Sequence, residues 1–154
     1  MYAIGHKRSG SGSVSCFYKL KNNKNRGFKT FTSYSEARVA YKNQKILARY
    51  DLAPRVYSEV GKVRVGNGKS LSPWGYITEI AETIGCGGNS CYCCDRDYLE
   101  DEYYDEIVQL IDDIEEVGFE FHDSHIGNIG WVNRGGVRLM VCIDTGKESV
   151  IKYE

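Results

Sequence analysis

Phe121-His122-Asp123-Ser124-His125-Ile126-Gly127-Asn128-Ile129-Gly130, followed by Val141-Cys142-Ile143-Asp144-Thr145-Gly146, is the stretch on which the fold turns. Asn128 lies five residues after Asp123, close enough for the loop to turn back and present both side chains to one cleft. Asp144 closes an apolar run, the expected end of a strand. Phosphoryl transfer needs a group to accept the nucleophile's proton and hard oxygens to hold Mg²⁺ against phosphates. Two aspartates and an asparagine on loops at strand ends can supply them. The same residue types also form ordinary turns with local backbone bonds, and single histidines such as His122 and His125 are more often structural.

Working outward, Ile107, Leu110, Ile111, Ile114 and Val117 share one helical face, and Gly118 stops that helix. The turn Asn133 to Gly136 predicts a hairpin between the two quoted segments. Upstream, Gly85 to Asp101 reads as a Gly/Cys-rich loop. At the start of the chain Val14 to Leu20 reads as a strand, Asn22 to Gly27 as a polar turn, and Gly27 to Phe31 as a second strand carrying Lys29. Ser33-Tyr34-Ser35-Glu36 has the S-x-x-E form of a capping box. It predicts a helix to about Tyr50, with Ala40, Gln44 and Leu47 on one face. Arg55 to Val65 and Trp74 to Ile80 read as strands around the turn Gly66-Asn67-Gly68. The elements are segregated, so the class is α+β, divided into a β-rich part over 1–80 and a second part over 81–154.

Charge is distributed unevenly. Residues 1–70 hold 15 Lys/Arg against 3 Asp/Glu, and residues 71–154 hold 5 against 18, within a net charge of −1. A cleft with cations on one wall and carboxylates on the other suits a phosphate ligand with a bridging metal; two solvated faces are the plainer alternative. No apolar run reaches the ~18 residues of a membrane span, and Gly5-His6-Lys7-Arg8 interrupts any signal core. The expectation is a cytoplasmic protein, of a cell or of an infected host, with no membrane partner.

D-x-H-x-x-N followed by a strand ending in I-D-x-G resembles the catalytic and metal-binding loops of the protein kinase-like superfamily. In its D-x-H-x-G-N form it is similar to aminoglycoside and other small-molecule kinases and to small phage-encoded protein kinases. The resemblance implies a minimal kinase-like fold, with an N-terminal antiparallel sheet, one helix and a much reduced C-terminal lobe. It implies ATP and Mg²⁺ as ligands. Asp123 takes the place of the catalytic base, Asn128 and Asp144 those of the Mg²⁺ ligands, and His125 a position where small-molecule kinases carry histidine. Thr145 replaces the usual phenylalanine. Gly10 and Gly12 resemble the end of a phosphate-covering loop. Lys29 matches the phosphate-pairing lysine, with Lys19 and Lys21 as rivals. Gln44 stands where a glutamate normally pairs with that lysine. Trp74 to Ile80 corresponds to the strand leading to the hinge, with Tyr76 to Ile80, Glu79 included, as the part whose backbone could meet adenine.

The resemblance implies a kinase acting on a protein Ser/Thr or a small hydroxylated acceptor. The alternative is a catalytically inactive kinase-like protein that binds and modulates a host or cellular partner, with the acidic stretch Glu100 to Glu120 as its docking surface. Either reading implies a protein partner or protein substrate. Nucleic-acid binding through Lys19, Lys21, Lys24 and Arg26 among Phe17, Tyr18 and Phe28 is disfavoured against solvated lysines on a sheet edge. Cys86, Cys91, Cys93 and Cys94 could hold Zn²⁺ through four thiolates, although their spacing lacks the paired C-x-x-C form. Cys16 and Cys142 read as small core residues.

Overall fold

The computed structural model describes residues 4–11, 15–62, 74–84 and 96–154. Strands β1 (Ile4–Ser11), β2 (Ser15–Leu20), β3 (Asn23–Phe31) and β4 (Trp74–Glu79) form an antiparallel sheet in that order. Helix α1 (Tyr34–Ala48) lies between β3 and β4 in the chain. Then come β5 (Glu82–Thr83), helices α2 (Arg96–Glu102) and α3 (Tyr104–Glu116), and β6 (Phe119–Phe121). A short 3₁₀ turn over Ile126–Asn128 leads into β7 (Ile129–Arg134), β8 (Val137–Cys142) and β9 (Val150–Lys152). β5, β7 and β8 make a three-stranded sheet, and β6 pairs with β9. Among the described residues no helix is long and apolar enough to cross a membrane.

The capping box works as read: Ser33 accepts a hydrogen bond from the Glu36 backbone N–H, so α1 starts at Tyr34. Its hydrophobic face packs on the sheet, where Ala37, Ala40 and Tyr41 meet Phe31 and Tyr76. Phe31 and Tyr76 stack at 5.7 Å between ring centroids, and each such buried ring contributes roughly 1.5–3 kcal/mol. Gly75 permits the close pairing of β3 and β4, because a Cβ there would lie 2.2 Å from the Lys29 carbonyl oxygen. A larger core joins the end of α1 to the C-terminal half, with Leu47, Leu52 and Ala53 against Leu110, Ile114, Phe119, Ile129 and Cys142. It spans the 80/81 division.

The structure differs from the sequence reading in several places. The polar turn is only Lys21–Asn22, and β3 begins at Asn23, because Asn23 to Arg26 finds partners on β2 and β4. Arg55 to Lys62 is no strand; isolated bridges link Val56 to Thr78 and Gly61 to Gly75. That segment covers the free edge of β4, the usual protection for an edge. Gly85 to Asp101 is not loop to its end, because α2 occupies Arg96–Glu102, and the stretch Glu100 to Glu120, read as one acidic helix, holds two helices broken at Tyr103, whose ring turns inward against Trp131 at 5.4 Å. The turn Gly66-Asn67-Gly68 lies outside the described residues.

Candidate functional site

β6 delivers the chain to Asp123, and the 3₁₀ turn brings Asn128 back towards it. Asn128 Nδ2 donates to the Asp123 carbonyl and to its carboxylate Oδ2, each at 2.9 Å. His125 caps the same turn by accepting the Gly127 N–H at Nδ1, 3.1 Å away. The bond assigns the lone pair to Nδ1, so a neutral ring carries its proton on Nε2. That nitrogen lies 3.4 Å from Asp123 Oδ2. Two donors therefore converge on one oxygen of Asp123, and among the described residues none reaches Oδ1. The carboxyl group is half exposed and open to a ligand.

The hairpin β7–β8 carries the second half of the site. Ile129 pairs with Cys142, so Asn128 and Ile143 fall opposite one another. The Ile143 N–H donates to the Asn128 carbonyl at 2.9 Å. Asp144 Oδ1 accepts the Gly146 N–H at 3.0 Å, which fixes the carboxylate at the start of a tight turn. Beneath it the Cys142 thiol is buried and donates to the Asp144 carbonyl at 3.0 Å. Burial first, then the Asp144 charge, pushes that thiol far above its ordinary range.

Lys29 reaches the site from β3. It is 8% exposed, and its Nζ donates to the Ile143 carbonyl at 2.9 Å. Among the described residues it has no carboxylate partner. Lys29, Asp144, Asn128, Asp123 and His125 are thus brought to one region by β3, the β7–β8 hairpin and the 3₁₀ turn.

Gln44 and Glu79, two candidates for the nucleotide site, have other partners. Gln44 is 1% exposed. It donates to the Pro54 carbonyl at 2.9 Å and to Thr78 Oγ1 at 2.6 Å, and it accepts the Tyr76 hydroxyl at 2.7 Å. A side chain that saturated does not turn towards Lys29. The Glu79 carboxylate is gripped by Arg134, with Nη1 to Oε2 at 2.5 Å and Nη2 to Oε1 at 2.7 Å, and also accepts the Arg55 N–H at 3.1 Å. The Glu79 and Ile80 N–H groups go to the Arg55 and Asn25 carbonyls. These backbone donors at the end of β4 are therefore already satisfied. Gly10 sits in β1 opposite Phe17. Gly12, Cys86, Cys91, Cys93 and Cys94 lie outside the described residues.

The sequence reading missed how the Asp144–Gly146 turn is tied to α1. Thr145 is fully buried, and its hydroxyl donates to the Ala40 carbonyl at 2.8 Å. Asn43 Nδ2 donates to the carbonyls of Thr145 and Val150 at 3.1 and 3.3 Å. Two polar side chains inside an otherwise apolar packing layer were the available signal, since Asn is a poor helix former that needs a reason to sit mid-helix. These bonds form a latch between the Asp144 turn and α1.

These elements define a reduced α+β protein with a kinase-like fold. Among solved structures the chain is similar to the Rio2 kinase of Chaetomium thermophilum, determined as an ADP/Mg²⁺-phosphoaspartate complex, with a TM-score of 0.59 and 12% sequence identity. The match covers 98% of this chain and 49% of that one, so this chain spans about half the length of the Rio2 chain. At that identity the likeness establishes the fold. No protein-family model and no curated protein sequence matches the chain.

Proposed function

We propose that the chain is a kinase-type phosphotransferase that binds ATP and Mg²⁺ between Lys29 and the Asp144 turn, with a protein Ser/Thr or a small hydroxylated molecule as acceptor. The observation that carries this reading is Lys29, a buried ammonium group with a single hydrogen bond and no carboxylate partner among the described residues. A buried cation left in that state is costly unless an anion joins it, and a nucleotide's α- and β-phosphates are anions of suitable charge.

Asn128 Oδ1 and the Asp144 carboxylate are hard oxygen donors. No cluster of three or more His, Cys, Asp or Glu forms among the described residues. Two protein oxygens fit Mg²⁺, which takes few protein ligands and completes its shell with phosphates and water, and they do not fit a zinc cage. When bound, the ion would neutralise charge on the β- and γ-phosphates.

In transfer, Asp123 accepts the acceptor's hydroxyl proton through Oδ1, while His125 and Asn128 hold Oδ2. The acceptor oxygen bonds to the γ-phosphorus as the bond to the β–γ bridging oxygen breaks, and ADP leaves. Lys29 positions the phosphates and offsets their charge. The likeness to aminoglycoside and phage-encoded kinases rests on the D-x-H-x-G-N motif alone.

A second reading, an inactive kinase-like protein acting on a protein partner, is favoured by Gln44, which gives Lys29 no counter-ion. Calorimetry of ATP binding with and without Mg²⁺, on the wild type and Asp144→Ala, separates the two. Mg²⁺-dependent binding lost in the variant supports the phosphotransferase. No ATP binding under any condition rejects it.

A further inference from the structure

The outer face of α1 carries a charge pattern that the nucleotide site does not use. Arg38, Lys42, Lys45 and Arg49 recur at i, i+4, i+7 and i+11, the spacing of one stripe on a helix. They line a groove of about 370 Å³, closed on one side by Lys152 of β9 and by Glu59. Arg38 lies 3.8 Å from Glu59. Lys42, Arg49 and Lys152 make no ion pair among the described residues. Five cations against one carboxylate, in a chain whose net charge is −1, is a local concentration of positive potential.

We infer that this groove binds the phosphate backbone of a single-stranded nucleic acid, without reading its sequence. Three observations favour this occupant over an acidic protein segment. First, the two apolar side chains of the groove are engaged within the protein: Tyr41 is 5% exposed, with Arg38 and Lys45 at 5.6 and 5.5 Å from its ring centroid, and Ile46 packs against the core that contains Leu47, Leu52 and Ile114. Protein docking sites concentrate their energy in anchors that fill desolvated pockets, whereas a strongly positive, polar surface is what phosphates require. Second, the cations form one row. From Arg38 to Arg49 the stripe runs about 16 Å at 1.5 Å per residue, long enough to meet successive phosphates of one strand. Third, Asn43, the uncharged polar group of the groove, spends its Nδ2 on Thr145 and Val150. No free amide remains to read a base edge, and the buried Tyr41 offers no ring for stacking. Binding therefore comes from counterion release and falls steeply with salt.

These residues are distinct from Lys19, Lys21, Lys24 and Arg26 of the sheet, so the two basic sets can be told apart. The experiment is fluorescence anisotropy of labelled mixed-sequence RNA and DNA strands of about 15 nucleotides, between roughly 50 and 200 mM salt. Wild type is compared with Lys42→Glu/Lys45→Glu and with an equal charge change at Lys19→Glu/Lys21→Glu. Circular dichroism checks that each is folded, and Lys42→Glu/Arg49→Glu serves if loss of the Lys45–Tyr41 contact loosens α1. The expected result is sequence-independent binding, weakened ~10-fold or more by the α1 reversal, with the log–log salt slope reduced by about 1.4 for two lost phosphate contacts. The sheet reversal and Asp144→Ala retain binding, which separates this site from the nucleotide site. Absence of binding at the lowest salt, or equal loss in both reversals, overturns the inference. Equally effective displacement by polyglutamate also overturns it and assigns the groove to an acidic polypeptide.

Discussion

Lys29 and Asp144 are coupled through one peptide unit: the Lys29 ammonium donates to the carbonyl of Ile143, the residue immediately before Asp144. The N–H of Ile143 is bonded to Asn128. A single backbone position thus sets the spacing of the proposed phosphate-binding cation and both proposed metal ligands. The arrangement has consequences for nucleotide binding and for folding.

Lys29→Met keeps the length of the side chain and removes the charge. It leaves the Ile143 carbonyl without its donor, a cost of about 1–3 kcal/mol if no water replaces it. ATP affinity should fall by at least ~10-fold, the loss of one charge-assisted contact. Calorimetry on the variant reads the second effect and urea unfolding the first. Unchanged affinity would remove Lys29 from the site.

His125→Ala removes one of two donors on Asp123 Oδ2 and the acceptor of the Gly127 N–H. Asn128 still holds Asp123, so the carboxylate remains near its position but turns more freely. Transfer should slow by roughly 10–100-fold, within the range expected for a misoriented base, while ATP affinity stays within a factor of about two or three. Asn128→Ala should lower both, because it also deletes a proposed metal ligand. Steady-state and binding measurements on the two variants check the split.

Gln44→Glu would restore the residue type of the family pattern, yet it should destabilise the protein. The new carboxylate sets an oxygen against the Pro54 carbonyl where Nε2 now donates at 2.9 Å. Burying that charge costs about 2 kcal/mol or more at neutral pH. Because burial holds the folded-state carboxyl above its ordinary value, the deficit should shrink as pH falls. Urea midpoints at neutral and acidic pH report it. A variant as stable as wild type, with tighter ATP binding, would show that position 44 can turn to Lys29.

Alkaline stability follows from two buried groups. Burial pushes the Cys142 thiol and the Tyr76 phenol above their ordinary values of 9.0 and 10.0. In the unfolded chain each ionises near its ordinary value, while the folded protein keeps it neutral. Above pH 9 the unfolded state therefore binds fewer protons, and stability falls as pH rises, by up to about 1.4 kcal/mol per pH unit for each group. Thermal melts across this range should show the decline, and Cys142→Ala should remove the part that begins near pH 9.

What the sequence determined is the local grammar. Ser33 and Glu36 start α1, Gly118 in its positive-φ conformation ends α3, and the turn at Asn133 to Gly136 closes the β7–β8 hairpin. Each depends on residues a few positions apart, and so does the Asp123–His125–Asn128 cluster, whose members bond within a five-residue loop. Tertiary structure decided the rest. Arg55 to Lys62 has the composition of a strand but meets β4 only at isolated bridges. Gln44 and Glu79 read as candidates for the nucleotide site, but their partners, Tyr76, Thr78 and Arg134, are 32 to 55 residues away. The latch from Asn43 and Ala40 to Thr145 spans more than 100 residues. A hydrogen bond across that separation leaves no spacing pattern in the chain, because its geometry exists only once the sheet, α1 and the hairpin have packed together.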